Sequence, residues 1–212
     1  MHNLPNMDKV AVSLSGGIDS AILLHMLASK YDYASKTQIY AITGYRKDDT
    51  LLAAKYVWTY VKLLFPELKW KKHLSYNNTF DKSEFGHRGK ADHELRSPQL
   101  KEYKIKHVLH GRVRTTLNDL SKFKDKYFQA TNKLDINKTK IETYKYVEPT
   151  NKWNYYLHRP ISHLFKSHVI QYAINNNIEE LLTNTISCYK QTITPCRVCP
   201  SCVEKMELLG HY

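Results

Sequence analysis

The sequence predicts an α/β fold, a doubly wound, mostly parallel sheet followed by a small metal-binding C-terminal segment. Three observations carry this. Short runs rich in β-branched and aromatic residues alternate with helix-spaced patterns over most of the chain, as strand–helix–strand units do. Glycines are scarce, seven in 212 residues, and Gly16-Gly17, Gly44 and Gly111 each follow a predicted strand, where an open parallel sheet binds its ligands. All four cysteines fall between 188 and 202, a clustering that indicates a metal rather than disulfides in a reducing compartment. The chain then divides into an α/β domain over residues 1–182 and a four-cysteine tail over 183–212.

Taken in order, Val10-Ala11-Val12-Ser13-Leu14 reads as a buried strand and Asp19 to Ala28 as a helix with Ala21, Leu24 and Ala28 on one face. Gln38 to Thr43 is the second strand, closing at Gly44. Thr50 to Leu64 is the second helix, with Leu52, Tyr56, Tyr60 and Leu63 or Leu64 near one face and Pro66 as its stop. Lys69 to Leu74 is a third strand candidate, and Asn77 to Ser97 reads as loop with a short helix. Tyr103 to His110 is the next strand. Thr115 to Phe128 carries a weak apolar stripe, and the Lys-, Asn- and Thr-rich stretch from Lys122 to Lys145 reads as a surface excursion. After Arg159-Pro160, a helix runs to about Asn175 with Val169, Ile170 and Ala173 inward, and Ile178 to Leu182 starts a shorter one before the cysteines.

The stretch between the first strand and the first helix organises the rest. Adjacent glycines let backbone N–H groups approach an anion with no Cβ in the way. The helix start adds unpaired donors and a partial positive charge, and Ser15 and Ser20 add hydroxyls. Asp19 repels a phosphate, so it is expected to touch a metal ion bound to one. No Gly-Lys-Ser/Thr follows at the spacing of a Walker A loop.

The bulk numbers bound the function. A hydrophobic content of 42% suits a folded globular chain. No apolar run approaches the roughly eighteen residues of a membrane span, and no basic head with an apolar core marks a secretory signal. A cytoplasmic protein without membrane attachment is therefore expected. The net charge of +12, from 32 basic and 20 acidic residues, suits anionic partners such as nucleotides or nucleic acid, and equally suits simple solubility. None of the eleven histidines sits in a ligand-spaced pair such as H-E-x-x-H, so no catalytic histidine is assigned.

Cys188-x7-Cys196-x2-Cys199-x2-Cys202 offers four thiolates, with Pro195 and Pro200 favouring the turns between them. Four sulfurs satisfy a tetrahedral zinc ion and leave no open position, so the site is expected to be structural. An iron–sulfur cluster is the rival.

The heptamer Leu14-Ser15-Gly16-Gly17-Ile18-Asp19-Ser20 resembles the S-G-G-x-D-S signature of the PP-loop ATP pyrophosphatases, which implies an adenine nucleotide alpha hydrolase-like fold and cleavage of ATP between its α and β phosphates. The later order is Arg159-Pro160-Ile161, Lys166, Thr185-Ile186-Ser187-Cys188-Tyr189 and the C-x2-C-x2-C finish. It is similar to the 7-cyano-7-deazaguanine synthase family of queuosine precursor synthesis, over nearly the whole chain. The resemblance implies that Cys188, Cys196, Cys199 and Cys202 hold one structural zinc ion and that the loop residues bind ATP with Mg²⁺. It implies Ser15, Asp19, Ser20 and Lys166 in catalysis, with Lys166 at the phosphates; a solvated helix-start lysine is the alternative. Gly111 and Arg112 are expected to help bind the nucleotide, with Arg114 beside them, against a reading of the arginines as surface residues.

The implied reaction joins 7-carboxy-7-deazaguanine and ammonia. The carboxylate is adenylated with loss of pyrophosphate, ammonia displaces AMP to give the amide, and a second adenylation of the amide oxygen leads to the nitrile. Positive groups and Mg²⁺ offset charge growing on the leaving pyrophosphate. Two departures weaken the acceptor assignment. The family's Asp-Tyr-Gly-Gln-Arg/His stands here as Thr43-Gly44-Tyr45-Arg46-Lys47-Asp48-Asp49, and its Pro-Gly-Arg-Asn segment is not recognisable, His110 to Arg114 filling the strand-end role instead. A PP-loop enzyme adenylating another acceptor, one that stops at the amide, and a non-catalytic nucleic-acid-binding module are the other readings. A tRNA thiolase is disfavoured, because no cysteine lies outside the four. A homodimer is compatible with the sequence.

Overall fold

The computed structural model describes residues 4–45, 48–77, 96–113, 142–147, 153–188 and 194–210. Six strands form one sheet: β1 (Lys9–Ser13), β2 (Gln38–Tyr45), β3 (Trp70–Asn77), β4 (His107–His110), β5 (Glu142–Val147) and β6 (Asn154–Arg159), in the order β3-β2-β1-β4-β6-β5. All neighbouring pairs are parallel except β5 against β6. The helices are α1 (Ile18–Lys30), α2 (Asp48–Leu64), α3 (Lys166–Asn175), α4 (Glu179–Thr183) and α5 (Pro200–Leu209), with a further helical segment over 96–102.

The strand order explains the layers. The chain steps outward from β1 to β2 to β3, then returns across β1 to β4. Right-handed crossovers put the helices of the outward steps on one face and those of the return on the other. α1 and α2 cover one face, where Val10, Val12 and Leu109 meet Ile22, Leu23, Leu27, Val57 and Val61. Leu100 and Ile105, from the return connection, pack on the opposite face with Ala11, Ile42, Val108 and Tyr155. The order reverses between β1 and β4, so the carboxyl ends of these two strands form the crevice of a doubly wound sheet.

Several expectations are corrected. α1 is buried on nearly all sides, from Ala21 through Ala28, because it lies between the sheet, α2 and α3; a one-sided stripe underestimates it. In α2 the buried face is Thr50, Ala53, Ala54, Val57, Trp58 and Val61. Leu52, Leu63 and Leu64 are exposed. Thr50, Ala53 and Ala54 face inward where α2 abuts the turn after β1, and Val57, Trp58 and Val61 continue that face into the core. Gly44 lies inside β2 rather than past its end: a Cβ there would stand 2.7 Å from the Tyr76 ring of β3, so the glycine makes room for a neighbouring aromatic. β4 starts only at His107, since 96–102 is helical. Of the stretch from Lys122 to Lys145, residues 142–145 belong to β5, the outer strand of the sheet paired antiparallel with β6, and the rest lies outside the described residues. The expected helix over 115–128 lies outside the described residues.

Three imidazoles are held neutral inside this frame. His25 on α1 bonds the Tyr172 hydroxyl of α3 at 3.0 Å, His158 on β6 bonds both His107 and Thr143 at 3.0 Å, and His73 on β3 meets Thr43. Burial, with help from Lys30, His107 and Lys55 respectively, lowers each to about 4. Unfolded, they take up protons near 6.5. Between these values the unfolded chain binds more protons, so stability falls as pH falls. Thermal melting is expected to drop steadily from pH 6.5 toward 4, each buried imidazole contributing up to about 3 kcal/mol, and a His158→Gln variant should show a shallower acid slope in melting scans.

Candidate functional site

The turn between β1 and α1 sits at the mouth of the crevice. Ser15 is exposed, Gly16 takes φ +75°, and Gly17 begins α1 in extended geometry with no side chain capping the helix. Its first N–H groups are therefore available to an anion, and the helix dipole favours one. The hydroxyls are ordered by the turn itself. Ser20 Oγ donates to Gly17 O at 2.9 Å and accepts the Ser15 N–H at 3.2 Å, while the Ser15 and Ser20 hydroxyls lie 3.1 Å apart.

Three segments close on this turn at backbone distance. A Cβ on Gly16 would fall 2.8 Å from Ala53 Cβ and 3.0 Å from Ala54 N, so α2 walls one side. A Cβ on Gly111, just past β4, would meet Asp19 O at 2.8 Å and Ser20 Cα at 2.9 Å; only glycine lets the second strand end touch the first turn of α1. The chain ahead of Cys188 walls a third side: Ile186 N–H donates to Gly16 O at 2.8 Å, and Ile186 O stands 3.4 Å from where a Gly17 Cβ would be.

Leu14, the last residue before the turn, is fixed by a relay that sequence reading missed. Thr43 Oγ1 donates to Leu14 O at 2.6 Å. Its one proton is spent there, so it accepts from His73 Nε2–H at 2.7 Å. His73 Nδ1 is then the bare nitrogen, and it is buried without a partner among the described residues. A proton there would have no acceptor, in keeping with the neutral imidazole.

Lys166 opens α3, where the Phe165 N–H donates to His168 Nδ1 and closes the first turn. It is buried, and its ammonium donates to Asp19 Oδ1. The structure thus unites residues 147 positions apart that were expected at the phosphates and at their metal ion. Ile18 is buried in the core beneath the turn. Arg112 is exposed beside Gly111, and Arg114 lies outside the described residues.

The four cysteines also come together. The Sγ atoms of Cys188, Cys196, Cys199 and Cys202 all lie within 4.8 Å of one another. A single tetrahedral ion with sulfur bonds of about 2.3 Å needs edges of about 3.8 Å, so the donor set fits one after a small inward turn. The Cys196 thiol is held below its ordinary value by backbone N–H groups, whereas burial pushes Cys202 up to about 12. A metal cation would supply the charge that Cys202 needs as a thiolate. Cys199 begins α5 with Pro200 in its first turn.

Two residues of α5 had no sequence signal beyond their spacing from Cys202. Lys205 is buried and donates from Nζ to Thr185 O at 2.9 Å. Glu204 is 3% exposed, and its Oε1 has no hydrogen-bond partner among the described residues. Burial raises its carboxyl, opposed by the nearby charge of Lys166.

A family model described as "Queuosine biosynthesis protein QueC" matches residues 100–212, just over half of the chain. The match begins beyond the glycine turn. No curated protein matches the chain. Among solved structures, the U34-tRNA thiolase NcsA from Methanococcus maripaludis, with its 4Fe-4S cluster, is similar at a TM-score of 0.49 and 18% identity, over 96% of this chain and 68% of that one.

Arg197, between Cys196 and Cys199, is a non-glycine residue at φ +62°, a conformation that costs an L-residue about 1 kcal/mol. Arg197→Gly is expected to raise the melting temperature of the metal-loaded protein by relieving that strain, as differential scanning calorimetry would measure.

Proposed function

The chain belongs to the QueC family, and from that premise we propose that it uses ATP and ammonia to convert the carboxylate of 7-carboxy-7-deazaguanine to the nitrile. The observation that carries this is the uncapped Ser15-Gly16-Gly17 turn at the sheet's switch point, with the Asp19–Lys166 pair at its edge. The turn and Asp19 lie outside the segment matched by the family model, whereas Lys166 lies within it, so the turn supports nucleotide use independently.

The chemistry is leaving-group replacement. The acceptor carboxylate attacks the α phosphorus, the α–β bridging bond breaks, and pyrophosphate leaves. Ammonia then adds to the acyl adenylate, AMP departs, and a proton is lost to give the amide. The amide oxygen attacks a second ATP in the same way. Loss of AMP and of two protons from nitrogen leaves the nitrile. Within the site, the main-chain N–H groups of the first turn of α1 are suited to the departing pyrophosphate, with the Ser15 hydroxyl as a further donor and Ser20, its proton held by Gly17 O, ordering the turn. Lys166, paired with Asp19 at the edge of the turn, is suited to neutralise charge growing on the leaving oxygen. Asp19 is suited to the Mg²⁺ that accompanies ATP, an ion that would polarise the phosphoryl oxygens. Gly111 brings the end of β4 against the turn, and Arg112 beside it is a candidate for an anionic group.

The cysteine cluster is assigned to one structural zinc ion. The close approach of the four sulfurs supports this over an iron–sulfur cubane, whose corners each bind one thiolate and spread the four apart. Elemental analysis should give about one zinc per chain; a brown, iron-loaded protein would overturn the assignment.

Incubation with ATP, Mg²⁺, ammonium and the carboxylate should yield AMP, pyrophosphate and the nitrile by mass spectrometry. Amide alone would select an enzyme that stops after one adenylation, and no AMP would refute the proposal. Asp19→Ala should lower AMP release by at least about a hundredfold, the scale of a lost electrostatic contact in the transition state, with metal content unchanged. Full turnover by that variant would remove Asp19 from the mechanism.

A further inference from the structure

The cysteine tail and the glycine turn are joined by two consecutive hydrogen bonds. Lys205, three residues after Cys202 and on the helix that Cys199 begins, donates to Thr185 O at 2.9 Å. The next residue, Ile186, donates its N–H to Gly16 O at 2.8 Å. Residues 185–188 therefore run as a short arm from the turn to the first thiolate. Both ends of the arm meet the tail, at Cys188 in the cysteine cluster and at Thr185 through the Lys205 ammonium. A buried ammonium on a single carbonyl is unusual, because lysine is seldom buried without a carboxylate partner. Its charge-assisted bond is strong where water is excluded. Oriented this way, Ile186 fixes the Gly16 carbonyl and with it the peptide planes that aim the following N–H groups.

We infer that Lys205 is a positioning residue for the ATP site, and that through it and Cys188 the metal-loaded tail holds the glycine turn in its anion-binding shape. The inference rests on the reading of that turn as a nucleotide site. Lys205 bonds the Thr185 carbonyl and acts through Thr185 and Ile186. Its chemical requirement is a cationic donor long enough to reach the carbonyl. Arginine should satisfy it and methionine, similar in length but uncharged, should not. The coupling makes nucleotide affinity depend on the ion proposed for the cysteine cluster.

The test compares wild-type protein with Lys205→Met and Lys205→Arg, each carrying its metal. Binding of a non-hydrolysable ATP analogue with Mg²⁺ is followed by calorimetry, and amide exchange by mass spectrometry. Lys205→Met is expected to bind the analogue roughly tenfold more weakly, as loss of one charge-assisted hydrogen bond would give, with faster exchange at Ile186 and unchanged metal content. Lys205→Arg should restore both. Wild-type affinity and wild-type protection at Ile186 in the methionine variant would overturn the inference. Should that variant not fold, wild-type protein stripped of metal by a chelator under reducing conditions gives the second arm. Protection at Ile186 should be lost while amides of β1 and β2 stay protected. Retained protection at Ile186, or loss spread over β1 and β2, would overturn it. Wild-type protein that binds no analogue would defeat the reading of the turn, and the Ile186 amide would still decide the coupling.

Discussion

The structure depends on one steric constraint: three separate segments must reach the turn after β1 at backbone distance. α2 approaches Gly16, the end of β4 approaches Asp19 and Ser20 across Gly111, and Ile186 approaches Gly17. The first two approaches leave no room for a Cβ, and the third stands at van der Waals contact from where one would be. The result is a turn whose walls are main chain, so its shape is set by helices and strands rather than by mobile side chains. That is what an anion site built from N–H groups needs, since such groups bind well only when already aimed. The inward-facing Ala53 and Ala54 follow from the same demand.

Topology supplies the place and local chemistry fills it. The sheet order brings the ends of β1 and β4 together at the reversal point. The turn, Gly111 and the start of α3 meet there although they lie far apart in sequence. Membership of the QueC family rests on residues 100–212, while the glycine turn after β1 precedes them. The hydrogen bond from Ile186 to Gly16 joins the two parts.

Much of this was legible in the sequence. The strand–Gly-Gly–helix stretch, the parallel α/β order and the four clustered cysteines carry local signals that tertiary packing does not overturn. Lys166 could be singled out by resemblance alone; that its partner is Asp19 became visible only in three dimensions. Errors arose where packing overrides pattern. Periodicity assigned leucines to the core face of α2, and the turn required alanines. Gly44 was read as a strand end because glycine commonly breaks strands, whereas it makes room for Tyr76. The His73–Thr43–Leu14 relay and the Lys205–Thr185 bond left no trace, because each joins residues from different elements through a side chain common on surfaces.

The Asp19–Lys166 pair shows how the proposed substrate and the free site fit together. A carboxylate at a helix N-terminus is favoured by the dipole, yet it opposes a bound phosphate. Lys166 resolves the conflict when no nucleotide is present by neutralising Asp19 in a partly buried setting, where an unpaired charge is strongly destabilising. A nucleotide arriving alone would draw Lys166 toward its phosphates and leave Asp19 uncompensated. One arriving with its divalent cation brings the replacement charge with it. Under the proposed function the pair would favour the metal-complexed nucleotide over the bare anion, a selectivity that neither residue would confer by itself.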